Sequence, residues 1–263
     1  MLRPMLRTGL LAGAAAITLG TAAHAATLVG LTADNHLVRI DSETRRAMPA
    51  VKVSGTEGRL LGIDVRPADG KLYGLTDAGQ IVTIDAMTGH ASAVSKLSET
   101  FGSGGRATID FNPVADRMRV MGMTGTNLRV NVETGAATKD GTLKYAAGGP
   151  MAETAPRIVA GAYTNSMAGA KETMLFTVDS LSRTLNLQAP PNDGVQQPRG
   201  EIAPSLPAGV AFDILSDGTG GNAAYLLAGN ALHKVDLASG KAMPGMMVTG
   251  LPQAEVIDIA AMK

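Results

Sequence analysis

Five times along this chain a short apolar strand, a tight turn and a second strand ending in Asp-x-x-Thr or Asp-x-x-Ser follow one another. The strongest copies are LVGLTADNHLVRIDSET (28–44), LYGLTDAGQIVTIDAMTG (72–89), RVMGMTGTNLRVNVETG (119–135) and AAYLLAGNALHKVDLASG (223–240); TMLFTVDSLSR (173–183) is looser. Asp41, Asp85, Asn131, Asp179 and Asp236 hold the matching position, at intervals of 44 to 57 residues. A period of that size marks a repeat fold, in which each unit buries its apolar face against the next.

A further element precedes several of these hairpins: GIDVRP (62–67), TIDFNP (108–113), AFDIL (211–215) and, near the C-terminus, VIDIAAM (256–262). Apolar residues flank Asp64, Asp110, Asp213 and Asp258 with the period of two expected of a strand. The order within one unit is then GIDV, LYGLT, IVTID and HASAV. Four antiparallel strands in about 45 residues is the spacing of a β-propeller blade. The C-terminal VIDIAAM has no hairpin after it, and LVGLT (28–32) has no such strand before it, so the two complete one blade and close the ring. Counting hairpins gives five blades. RIVAGAYTN (157–165) fits either an inner or a second strand, and 144–156 is unassigned, so a six-bladed ring stays open.

The repeated Asp has a structural reading. In IDAMTG the Asp85 carboxylate can accept hydrogen bonds from the backbone two residues on and from the Thr88 hydroxyl, while Gly89 supplies positive φ. Such a cap fixes hairpin register, and five sites spread around a ring cannot meet at one substrate. With 32 Gly, 13 Pro and no long helical pattern, the composition agrees with short strands and tight turns.

Residues 1–25 read as a signal peptide: Arg3 and Arg7 precede an apolar run from Gly9 to Ala22, and Ala23-His24-Ala25 offers a cleavage site. Residues 26–263 would then form one propeller domain, periplasmic or secreted. The apolar run is shorter than the roughly 20 residues a membrane-spanning helix needs, and no later segment approaches that length. The absence of Cys excludes disulfides and a lipid-anchored Cys. Lys+Arg and Asp+Glu are equal at 23 each, which gives no basic field for nucleic acid. A monomer is expected, with an unidentified protein or small ligand as partner.

These elements resemble the bacterial family called domain of unknown function 4394. The resemblance rests on GLTADNHLVRID, LLGIDVRPADGKLYGLT, TIDFNPVADRMRV followed by NLRVNVETG, the AYTN at Ala162, QAPPNDG from Gln188 and AFDI at Ala211. It covers essentially all of 26–263 and implies an exported propeller; it transfers no catalytic residue.

Two candidate sites stand out. Asp64, Asp110, Asp213 and Asp258 occupy equivalent inner-strand positions, with Asn112 two residues past Asp110. Hard oxygen ligands converging from separate strands would suit Ca²⁺. Alternatively, each Asp bonds a backbone amide of the neighbouring blade, or an Arg such as Arg66, Arg117 or Arg119. The second candidate is the stiff QAPPNDG segment, whose Pro190, Pro191, Asn192, Asp193 and Gly194 form either a binding loop or a rigid inter-blade connection.

The sequence carries no convincing catalytic constellation, although its residue types leave a Ser-His-Asp triad open. His36, His90 and His233 lie in different blades without zinc spacing, and there is no G-x-S-x-G elbow or phosphate loop. The chain has no Trp and only four Tyr and four Phe, which argues against quinone-cofactor and carbohydrate binding. The 14 Met are scattered as core filler, except for the group Met243, Met246 and Met247. The expectation is an exported binding propeller with no catalytic residues and no cofactor. The alternative is a Ca²⁺-dependent hydrolase, lactonase-like or phosphoesterase-like, with an Asp-lined channel.

Overall fold

A computed structural model of the protein describes residues 26–102 and 104–263. The signal-peptide expectation falls on residues 1–25 and lies outside them. The chain runs through β1 (Thr27–Thr32), β2 (His36–Asp41) and β3 (Val51–Lys52), then β4 (Leu60–Val65), β5 (Leu72–Thr76), β6 (Gln80–Ile84) and β7 (Ala91–Lys96). Next come β8 (Ala107–Asn112), β9 (Arg117–Gly122), β10 (Asn127–Val130) and β11 (Ala137–Lys139). They are followed by β12 (Lys144–Tyr145), β13 (Ile158–Tyr163), β14 (Leu175–Asp179), β15 (Thr184–Gln188) and β16 (Val195–Glu201). The last are β17 (Val210–Ser216), β18 (Asn222–Ala228), β19 (Ala231–Asp236), β20 (Lys241–Ala242), β21 (Met246–Met247) and β22 (Val256–Met262).

These strands make five blades of a β-propeller. Blade 1 is β22-β1-β2-β3, blade 2 is β4 to β7, blade 3 is β8 to β11, blade 4 is β13 to β16, and blade 5 is β17 to β20. The ring closes as the repeat implies: β22 pairs antiparallel with β1, in register Leu28 to Ala261 and Gly30 to Ile259. Ile158–Tyr163 is the inner strand of blade 4, which settles the count at five. Part of the unassigned stretch, β12, adds a parallel outer strand to β16, and β21 pairs β19 in blade 5.

The apolar residues form one cluster at each seam between blades. Leu61, Tyr73, Leu75 and Ile81 of blade 2 meet Ile109, Phe111 and Val120 of blade 3. Phe176, Val178 and Leu185 of blade 4 meet Phe212, Ile214 and Leu226 of blade 5. Because a blade is covered on both faces, its second strand is mostly buried, and in Leu72–Thr76 and Leu175–Asp179 wholly so. The cluster at the seam between blades 3 and 4 is the smallest: Met121, Leu143, Ile158, Tyr163 and Leu175. A buried polar network occupies the rest of that seam.

The repeated Asp or Asn acts as a cap at all five positions. Asp85 Oδ1 accepts from the N–H groups of Met87 (2.7 Å) and Thr88 (3.0 Å). Asp41, Asp179 and Asp236 make the same pair of bonds, and Asn131 makes the first of them. Four residues on, the backbone turns left-handed each time, at Arg45, Gly89, Gly135, Arg183 and Gly240. Gly135 is required for a second reason: a Cβ there would overlap the Lys96 carbonyl of blade 2. Among the described residues no helix is long and apolar enough to cross a membrane.

Candidate functional site

The inner strands β22, β4, β8, β13 and β17 pack around the axis in that order. Each has one edge hydrogen-bonded within its blade and one edge facing the channel, where its N–H groups need acceptors. The inner-strand carboxylates supply them. Asp64 Oδ2 accepts from Phe111 N–H of blade 3 (2.7 Å), and Asp110 Oδ1 from Tyr163 N–H of blade 4 (2.9 Å). Asp213 Oδ2 accepts from Ala261 N–H of blade 1 (2.6 Å), and Asp258 Oδ2 from Ile63 N–H of blade 2 (2.9 Å). The other oxygens of Asp64, Asp213 and Asp258 bond the N–H of the residue that follows each in sequence.

Among the described residues, four of the five seams are therefore clasped at the axis. The exception lies between blades 4 and 5, where Ala162 takes the position of the Asp. Asp258 is also out of step with the rest: it reaches the residue before Asp64, whereas Asp64 reaches the residue after Asp110. Two residues of strand span about 6.6 Å, which places Asp258 in a different layer of the channel.

That offset agrees with the geometry of the carboxylates. Oxygens of Asp64, Asp110 and Asp213 lie within 4.8 Å of one another, all three residues being buried. Oxygens at that separation could share one Ca²⁺ at its usual 2.3–2.6 Å. Asp258 falls outside the trio. Asn112 has another role at the end of β8, where its Oδ1 accepts from Val114 and Ala115 N–H (both 2.9 Å). Arg66 and Arg119 pair elsewhere: Arg66 bonds Asp116, and Arg119 lies in the seam network described below.

Burial dominates the electrostatics. It pushes the carboxyls of Asp64 and Asp110 well above the usual range, and repulsion from the neighbouring carboxylates adds to it. Burial raises Asp213 to about 6 and Asp258 to about 8. The rise at Asp258 is partly offset by the Ile63 N–H bond and then by the positive charge of Arg106. Its guanidinium donates to the carbonyls of Ala208 and Val210 and to that of Ile257, and so ties blade 3 to blades 5 and 1.

The QAPPNDG segment forms a single 3₁₀ turn, Pro191–Asp193, ended by Gly194 at φ 70°. It is tied to blade 3. Asn192 Oδ1 accepts from Arg119 Nη2 (2.8 Å), the Asn192 carbonyl from Gly141 N–H (2.8 Å), and the Pro191 carbonyl from Asn127 Nδ2 (3.2 Å). Pro190, Asn192 and Asp193 remain exposed. Arg119 also donates to Tyr163 Oη (3.1 Å), Asn127 Oδ1 (2.9 Å) and Asp140 Oδ2 (2.6 Å). This network fills the seam between blades 3 and 4. Sequence reasoning offered Arg119 only as a partner for an inner Asp, because its true partners are spread over β10, β13 and two connecting segments, up to 73 residues away.

One large concave site was also missed. Between blades 5 and 1, Leu215, Ala223 and Tyr225 line a cavity of about 780 Å³, with Glu43, Lys234 and Lys263 among its charged groups. Lys234 Nζ stands 3.5 Å above the centre of the Tyr225 ring, a cation–π contact. Its size falls within the range of small-molecule sites.

Residues 36–260 match the family model described as "Domain of unknown function (DUF4394)". No curated protein matches the chain in sequence. Among solved structures, the fold resembles a protein of unknown function from Bacteroides thetaiotaomicron VPI-5482, at 14% identity and a TM-score of 0.51, over 90% of this chain and 70% of that one. A second protein of unknown function, from Bacteroides caccae, aligns at 11% identity and a TM-score of 0.43, over 88% of this chain and 76% of the other.

Proposed function

The chain belongs to the DUF4394 family, and from its geometry we propose that it is an exported propeller that binds a small amphipathic ligand and does no chemistry on it. The observation that carries this reading is the state of the channel acids. Asp64, Asp110, Asp213 and Asp258 are buried and each accepts a backbone N–H from the neighbouring blade. Groups committed in this way hold the ring together and are poorly placed to act on a substrate. Concave surface with an apolar lining and convergent polar groups is found instead at the cavity between blades 5 and 1. The signal-like pattern of residues 1–25 supports export.

A screen of small amphipathic molecules by NMR tests the assignment. Binders that shift the resonances of Leu215, Tyr225 and Lys234 support it. Binders that shift only the channel residues, or no binders at all, count against it.

A second reading follows from the three carboxylates within 4.8 Å of one another: a Ca²⁺-dependent hydrolase acting in the channel. Asp64, Asp110 and Asp213 would hold the ion, which would polarise a lactone or phosphoester. Turnover of such substrates that appears with Ca²⁺ and disappears with EDTA would establish this reading over the first.

A further inference from the structure

The cavity between blades 5 and 1 holds polar groups whose bonding capacity is unspent. Strand register sets Leu215 opposite Ala223 and Tyr225 opposite Lys234, and side chains two residues apart on a strand share a face. All four therefore stand on the face of blade 5 that packs against blade 1. Tyr225 is 4% exposed, yet among the described residues its Oη has no hydrogen-bond partner. A buried hydroxyl ordinarily has one, and this side chain lines the cavity.

Two cations beside it are in the same state. Lys234 Nζ lies over the Tyr225 ring and pairs with no carboxylate or carbonyl among the described residues. A smaller cleft of about 300 Å³ continues the cavity outward, since Glu43, Tyr225 and Lys234 line both. Arg45 lines that cleft. Its backbone is fixed by the Asp41 carbonyl (2.8 Å) and by Thr249 N–H (2.9 Å), while its guanidinium has no partner among the described residues. Glu43 is exposed and forms no ion pair with either cation there. At the far end of the cavity Lys263 interacts with Asp217, which also caps its own loop through Thr219 and Gly221. Between the two ends the lining includes the apolar Ala26, Leu215 and Ala223.

We propose that this cavity takes an alkyl chain with a single oxyanion head, the head among Tyr225, Lys234 and Arg45 and the chain on Ala26, Leu215 and Ala223. The inference deepens the small-ligand reading of the same cavity and rests on it. A carboxylate or phosphate accepts hydrogen bonds from a hydroxyl, an ammonium and a guanidinium alike, and bonds to charged donors are the strong ones. A neutral head would leave both cations unpaired, and a cationic head would be repelled by them.

Calorimetric titration of the full chain at neutral pH tests this with octanoate, octyl phosphate, octanamide, octyltrimethylammonium and inorganic phosphate. Octanoate and octyl phosphate should bind about tenfold more tightly than octanamide, and octyltrimethylammonium not at all. Lys234→Met should lower octanoate affinity about tenfold and leave that for octanamide unchanged, and Tyr225→Phe should lower octanoate affinity about fivefold. Neither substitution removes a hydrogen bond within the fold, so both variants should fold; thermal unfolding checks this. Bound octanoate should shift the methyl resonances of Leu215 and Ala223. Equal affinity for octanoate and octanamide would overturn the oxyanion head and leave the small-ligand reading standing. Inorganic phosphate binding as tightly as octyl phosphate would overturn the chain. Octanoate affinity unchanged in both variants, or no binding by any probe, would overturn the inference, and the wider screen of amphipathic molecules then decides the reading beneath it.

Discussion

The buried channel acids predict an unusual dependence of stability on pH. A carboxyl with a folded pKa above its unfolded value binds its proton more tightly in the native state. Its stabilisation is complete below about pH 4 and is lost as the pH rises to the folded value. Asp213, raised from 3.8 to about 6, would remove about 3 kcal/mol between pH 4 and 7, at 1.36 kcal/mol per pKa unit. Asp258, raised from 3.8 to about 8, would by the same rule remove about 5 kcal/mol by pH 8. The Asp213 carboxylate is one of the groups that raise Asp258, so the two losses are coupled and are not summed. A total fall of about 3–5 kcal/mol is therefore expected between pH 4.5 and 8. For a chain of this size that corresponds to roughly 10 °C in Tm. The turn-capping carboxyls Asp41, Asp85 and Asp236 are shifted the opposite way by backbone N–H bonds. Their stabilisation is present above pH 4 and lost only as the pH falls below it, so it leaves this window flat. Calorimetry at half-unit steps of pH would show the decline. Asp258→Asn, which removes the charge, should flatten its upper part between pH 6 and 8. A Tm that is constant or rises from pH 4.5 to 8 would refute the reasoning.

Two further outcomes are expected. The Arg119–Asp140 pair is almost wholly buried, with side-chain exposures of 2% and 5%. Asp140→Ala should therefore cost about 3–5 kcal/mol in urea denaturation, because Arg119 would lose its charged partner; a loss below about 1 kcal/mol would contradict this. If the channel acids are clasps rather than ligands, Ca²⁺ added to EDTA-treated protein leaves Tm unchanged. A site filled at 100 times its Kd would add about 2.7 kcal/mol, so a clear rise that Asp110→Ala removes would favour the hydrolase.

The readability of this fold in its sequence follows from how local each signal is. The hairpins and their Asp caps were legible because cap, turn and strand lie within a few residues, as Asp85, Met87 and Gly89 do. The inner strands with an Asp were legible for the same reason. Blade 4 was not, since Ala162 replaces the Asp and β12 joins its sheet from a segment upstream of the blade. Within the channel, the sequence offered four equivalent Asp residues but carried no sign that Asp258 sits in another layer. The Arg119 network and the cavity beside Tyr225 depend on contacts between distant segments, and no spacing in the chain announces them.

The central claim is that the channel carboxylates bind the blades to one another, and amide hydrogen exchange in Asp64→Ala tests it most directly. Asp64 is the acceptor for Phe111 N–H across the seam, while Tyr163 N–H is held by Asp110. The account predicts that Phe111 loses protection in this variant while Tyr163 and Ala261 retain theirs. Protection at Phe111 equal to that of the wild type would contradict it.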